Sequence, residues 1–219
     1  MVVGPEAEPI VTLPERAPLR LADAFVQERQ AWIARHVARA AMERARLEAR
    51  PPLGEGRGLD LVGVAHELEI QLGTDRRRSR VEHEDVPAPV VRVRLAPSDP
   101  RPVAVLLEAW LRAEARTTIA RRVAARAPQL GVAPVGVTIR DQRTRWGSAS
   151  RAGRLSFSWR LILAPPAVLD YVVVHELAHL AVFGHSPRFW ALVRSVVPEA
   201  DRARRWLREH ARELHWAVS

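Results

Sequence analysis

YVVVHELAHLAVFGHSPRFW, residues 171–190, decides how this chain is read. It is an apolar, helix-like run into which His175, Glu176 and His179 are set, with Val172, Val173, Val174, Leu177 and Leu180 around them. Taking such groups out of water costs roughly 2–7 kcal/mol each unless they are paired or ligated. His175 and His179 are four residues apart, so on a helix both rings leave one face, one turn apart. Two imidazoles so placed can share a metal ion while Glu176 activates a water, which is the H-E-x-x-H arrangement of zinc hydrolases. With eight His and 17 Glu in 219 residues, chance yields this pattern in roughly two such chains in a hundred, so the motif needs support from its surroundings.

Hydrolytic zinc takes three protein ligands and keeps one position open for water. His185 lies six residues past His179 and directly after Gly184, where the chain can double back, so it is well placed as the third ligand. Glu199, His210 and His215 are the other candidates, and separation in sequence excludes none of them.

Composition bounds the class. A length of 219 residues suits one large domain or a domain with an added helical arm, and 47% hydrophobic content is ample for a core. The absence of cysteine excludes disulfides, thiolate zinc sites and a cysteine nucleophile, and fits a reducing compartment. MVVGPEAEPIVTLPER, residues 1–16, has no basic segment followed by an apolar stretch, so it is not a secretory signal. No apolar run reaches the roughly 18 residues that span a bilayer; LILAPPAVLDYVVV is interrupted by Pro165, Pro166 and Asp170. A soluble, cytoplasmic protein without a membrane partner is expected.

The net charge of +9 is uneven, with 19 Arg against nine acids in residues 101–219. A basic half suits nucleic acid or an anionic substrate. Every basic residue is Arg, however, and Asn is absent, which is the mark of a GC-rich coding bias. No groove-reading element accompanies the charge, so nucleic-acid binding is weakly supported.

The periodicity predicts an α+β chain. Pro9–Leu13 reads as a short edge strand, and residues 21–50 as one helix carrying Phe25, Trp32, Ile33, Val37 and Ala40, with Arg29 laying its stem along that face. Leu68, Ile70 and Leu72, then Val91, Val93 and Leu95, alternate as strands, with residues 75–87 between them a charged turn and His83 solvated. A helix over about 102–127 buries Val105, Leu106, Trp110, Leu111, Ile119 and Val123. Segments 135–141 and 154–163 form a hairpin-like pair around the turn-rich 147–153. The 171–190 helix starts at Pro165-Pro166 and stops at Gly184; Ser186-Pro187 opens the next, and a last helix over 199–214 carries Arg202, Arg204, Arg205, Arg208 and Arg212 on a solvated face. The division expected is 1–100, a helix and β-rich region of the same domain, followed by a catalytic core over 101–219.

RWGSAS (145–150), SWRLILAPPAVLDYVVVHELAHL (158–180) and GHSPRFW (184–190), in this order, resemble the YgjP-like metallopeptidase family, related to the SprT-like zincins. The likeness is close over about 135–215 and looser before it. It implies a zincin-like fold, a small antiparallel or mixed sheet with an H-E-x-x-H active-site helix and flanking helices. It also implies Zn2+ on His175, His179 and His185, with Glu176 as catalytic base. Members commonly read RWGSCS where this chain has Ala149, so no thiol at that position is needed. Trp146 is either packed at a hairpin corner or part of a cleft wall beside the metal, with Arg145 reaching substrate. Tyr171, one turn before His175, can assist an oxyanion or fill the core.

The expected activity is hydrolysis of a peptide or protein by zinc and Glu176-activated water, with the 154–163 strand offering an edge to the substrate. Two other readings stand beside it. One is a zinc hydrolase of nucleotide phosphoanhydrides, and the other is a SprT-like protease or a structural-zinc protein associated with DNA.

Overall fold

A computed structural model describes residues 2–3, 8–14, 17–49, 53, 58–73, 78–142 and 144–218 of the protein. The chain divides into two compact units, Met1–Pro51 and Pro52–Ser219. In the first, β1 (Val2–Val3) pairs antiparallel with β2 (Pro9–Ile10), and α1 (Arg20–Glu28) and α2 (Gln30–Glu48) follow. The single helix expected here is two, because the backbone leaves helical geometry at Arg29, with φ −104° and ψ 10°. Arg29 sits where the apolar face is interrupted, and its guanidinium lies over the Phe25 ring at 5.5 Å. The expected helix end at Arg50 lies outside the described residues.

Alternation builds the first sheet of the second unit. β3 (Leu59–Leu61), β4 (Val64–Leu72), β5 (Arg80–Glu84) and β6 (Val90–Leu95) lie in the order β3-β4-β6-β5. β4 and β6 are parallel, and the other two pairs are antiparallel. His66, Leu68, Val91 and Val93 are buried on one face. On the other, Arg92 pairs with Glu69 at 2.8 Å and Glu84 at 3.2 Å, and Arg94 with Glu82 at 2.7 Å. These cross-strand pairs correct the expected charged turn over 75–87. Residues 80–84 are a strand whose outward charges are matched across the ladder, which a high charge density disguised. Residues 75–77 of that segment lie outside the described residues.

α3 (Val103–Arg126) covers the apolar face, burying Leu106, Leu107, Leu111, Ala115, Ile119 and Val123. Val105, expected among these, is 50% exposed, and Leu107 takes the inward position. A 3-10 turn over Ala127–Leu130 leads to a second sheet of β7 (Gly136–Arg140), β8 (Gly147–Ala149) and β9 (Arg154–Ser158), in the order β7-β9-β8. The expected hairpin of 135–141 with 154–163 does not form. β7 runs parallel to β9, which a tight turn cannot connect, and the hairpin partner of β9 is β8. β9 also ends at Ser158, because Trp159–Leu163 coils into a 3-10 turn with all five residues buried. An unbroken apolar run reads the same as buried strand or buried turn.

α4 (Pro166–Ala181) follows, pinned at its start. Asp170 accepts from Arg122 Nη1 and Arg126 Nη2 of α3, both at 2.6 Å. α5 (Pro187–Val196) opens with Ser186 Oγ accepting the Phe189 N–H at 3.3 Å, and α6 (Ala200–His215) closes the core. The result is a mixed α+β architecture with small mixed sheets and several helices. No helix among the described residues is long and apolar enough to cross a membrane.

Candidate metal centre

α4 is buried on nearly all sides: Val172, Val173, Val174, Leu177 and Ala178 are all in the core. Asp170 is taken up by α3, while His175 and Glu176 line a cleft between β8, α4 and α6. Beyond Ala181 the chain leaves the helix at Val182, and Gly184 adopts φ 80°, the left-handed conformation that reverses the chain at little steric cost. That reversal brings His185 back over the helix.

His175 Nε2 and His185 Nε2 are 3.2 Å apart, and the ligating atoms of His175, His179 and His185 all lie within 4.8 Å of one another. The other proposed third ligands are not in this cluster. Glu199 pairs with Arg202 at 3.5 Å, His210 Nδ1 is 2.9 Å from the Trp206 carbonyl oxygen, and His215 stacks on Trp146 with centroids 5.1 Å apart. Burial, then the neighbouring His179, His185 and Arg204, push the His175 pKa down to about 3. Burial and His185 lower that of His179 as well. Both rings are therefore neutral near pH 7, with lone pairs free for a cation.

The donor set fits zinc. Imidazole nitrogens held at about 2.0–2.1 Å around a tetrahedral ion stand roughly 3.3–3.4 Å apart, close to the 3.2 Å between His175 and His185, with His179 within 4.8 Å of both. Phe189, which the sequence reading did not single out, anchors all three. Its buried ring lies 5.0, 4.5 and 5.0 Å from those of His175, His179 and His185. The only signal for it was its place in the first turn of the helix that Ser186 caps. His175 Nδ1 is buried without a hydrogen-bond partner, so ring packing orients this imidazole.

Glu176 is 6% exposed, and burial raises its carboxyl to about 7 against the opposing pull of Arg145. Its seat is Gly147 on β8. A Cβ there would stand 2.7 Å from Glu176 Cγ and Oε1 and 2.9 Å from Cδ. The glycine of the Arg145-Trp146-Gly147-Ser148 segment is thus required by close approach of a carboxylate, with no unusual φ involved. Glu176 and His175 face a cleft of about 390 Å³ walled by Arg145, Trp146, Tyr171, Arg204 and Arg208. Trp146 is therefore in the cleft wall, stacked on His215, and Tyr171 is both core and wall, with its hydroxyl pKa raised by burial. Arg204 and Arg208, expected on a merely solvated face, border the cleft because α6 crosses α4 here; Arg204 also lies 5.2 Å from the Trp190 ring.

A solved structure, the metallopeptidase zymogen of Pyrococcus abyssi abylysin, is similar at 24% identity and a TM-score of 0.38, covering 42% of this chain and 93% of that one. No curated protein matches. A family model described as the YgjP-like metallopeptidase domain matches residues 1–210, nearly the whole length, and the chain therefore belongs to the YgjP-like metallopeptidase family.

Proposed function

We propose that this metallopeptidase-family chain is a zinc peptidase in which His175, His179 and His185 hold the ion and Glu176 is the general base. The observation that carries the proposal is the convergence of three imidazoles beside a buried carboxylate seated on a glycine. Zinc, when bound, supplies a Lewis acid and a water of pKa near 7.

The protein's own residues do the rest. Glu176 accepts the proton of the attacking water and delivers it to the leaving amine, and its raised affinity for protons suits that exchange near neutral pH. Gly147 sets where the carboxylate stands. Tyr171 and Arg145 border the same cleft and can donate to a developing oxyanion. The edge offered to an extended substrate is β8, since β9 is the central strand of its sheet with neighbours on both sides. This corrects the expectation that residues 154–163 present the edge. A peptide added to β8 would run past Gly147 and so past Glu176. Arg145, Arg204 and Arg208 make the cleft basic, which favours peptides carrying a carboxylate near the cleaved bond.

Family membership supports a peptide or protein substrate and gives no support to nucleotide or nucleic-acid partners. The test compares two variants on denatured casein and a mixed peptide library. Glu176→Gln should keep about one zinc at this centre and lose hydrolysis by about 10²–10⁴-fold, whereas His175→Ala should lose this centre's zinc and activity together. Hydrolysis surviving in Glu176→Gln would refute the assignment.

A further inference from the structure

A second cluster stands in the four-stranded sheet, away from α4. β4 and β5 alternate regularly, so residues 66 and 83 fall on the inner face in register with Leu68, Val81, Val91 and Val93. Apolar residues belong at such positions, yet both are histidine. His66 is 3% exposed, and a buried imidazole there needs partners. Its Nδ1 is 2.8 Å from the Val64 carbonyl oxygen. A carbonyl only accepts, so in the neutral ring, the form that binds metal, Nδ1 carries the proton and Nε2 presents a lone pair.

That lone pair meets two more ligating atoms. His66 Nε2 is 2.9 Å from His83 Nε2 and 3.2 Å from Asp85 Oδ1, and His83 Nε2 is 3.1 Å from the same oxygen. The three atoms form a near-equilateral triangle. Its edges are close to the roughly 3.3 Å expected between ligands at 2.0–2.2 Å from one tetrahedral ion. A ligating histidine characteristically donates its other ring N–H to a carbonyl or carboxylate, and His66 does this toward Val64. The environment is graded as well: the side chains of His66, His83 and Asp85 are 2%, 30% and 68% exposed, so the triangle opens toward solvent and an ion can enter.

We propose that His66, His83 and Asp85 form a second divalent-metal site of the zinc class, independent of the centre on α4. Two imidazole nitrogens and one carboxylate oxygen suit zinc and neighbouring first-row ions and leave a position for water. The ion's role follows from where the ligands sit. His66 lies near the start of β4, His83 near the end of β5, the edge strand, and Asp85 directly after it. β6 separates these strands, but His66 stands one residue before the first β4–β6 pair, Glu67 with Val90, and His83 lies opposite Val91, so the two imidazoles reach each other across the first residues of β6 on the inner face. A metal there staples edge strand to inner strand.

The test is zinc stoichiometry by equilibrium dialysis and elemental analysis, with circular dichroism as a check on folding. The metal-free full-length chain should take up two equivalents, and His175→Ala/His179→Ala should retain one. Adding Asp85→Asn or His83→Gln to that variant, both at solvent-accessible positions, should remove it. In the otherwise unaltered chain the same single substitutions should reduce two equivalents to one, so the result does not depend on how the α4 variants fold. Zinc should also raise the melting temperature of His175→Ala/His179→Ala and no longer do so once Asp85→Asn is added. One equivalent in the unaltered chain, unchanged by Asp85→Asn, would overturn the proposal and leave the cluster a hydrogen-bonded triad.

Discussion

Gly147→Ala tests the architecture of the centre more sharply than loss of a ligand would. The added methyl would stand 2.7 Å from Glu176 Cγ and Oε1, where carbon atoms ordinarily keep roughly 3.5 Å. The atoms in the way are the flexible end of one side chain, so the sheet can stay and the carboxylate must move by about 0.8 Å. A displacement near 1 Å at a reacting group can lower the rate by about 10²-fold, so kcat/KM on denatured casein should fall by about that factor. Zinc content should not change, because the three atoms nearest the new methyl all belong to Glu176 and none to an imidazole. The decisive measurement is the double variant. If Gly147 acts only by seating Glu176, adding Gly147→Ala to Glu176→Gln should lower activity little further, although each change alone is severe. Multiplying effects, or a Gly147→Ala enzyme within about threefold of the parent, would refute the reasoning.

Three further outcomes follow from the same geometry. In the metal-free chain Glu176 is raised from 4.5 to about 7, so its contribution to stability is undiminished below about pH 4.5 and is lost as pH rises through 7, by at most about 3 kcal/mol. Metal-free Glu176→Gln should therefore melt above its parent at about pH 8 and equal to it at about pH 4.5; the same melting difference at both would contradict this. Phe189→Ala should destabilise the fold by about 3–5 kcal/mol in urea titration and weaken zinc binding in competition with a chelator, since one ring buttresses all three imidazoles. Arg204→Ala/Arg208→Ala should raise KM for a peptide with an acidic side chain beside the cleaved bond, by about fivefold per arginine, and leave a neutral analogue unchanged.

What the sequence determined by itself was local. Four-residue spacing put His175 and His179 on one helical face, Gly184 marked the reversal that returns His185, and Ser186-Pro187 marked the start of α5, because each of these depends on neighbours within a turn or two. The alternation of β4 and β6 was legible for the same reason. Tertiary structure decided the rest. Whether 135–141 met 154–163 as a hairpin or in parallel depended on where residues 141–146 carried the chain, and the local pattern is identical either way. The strand at 80–84 was hidden because its charges are satisfied by Arg92 and Arg94, eight and twelve residues further on. Gly147 looked like a turn glycine until α4 laid Glu176 against it, and His83 looked solvated until β4 brought His66 to within 2.9 Å. Contacts of this kind join elements that a sequence window never sees together, and packing alone selects them.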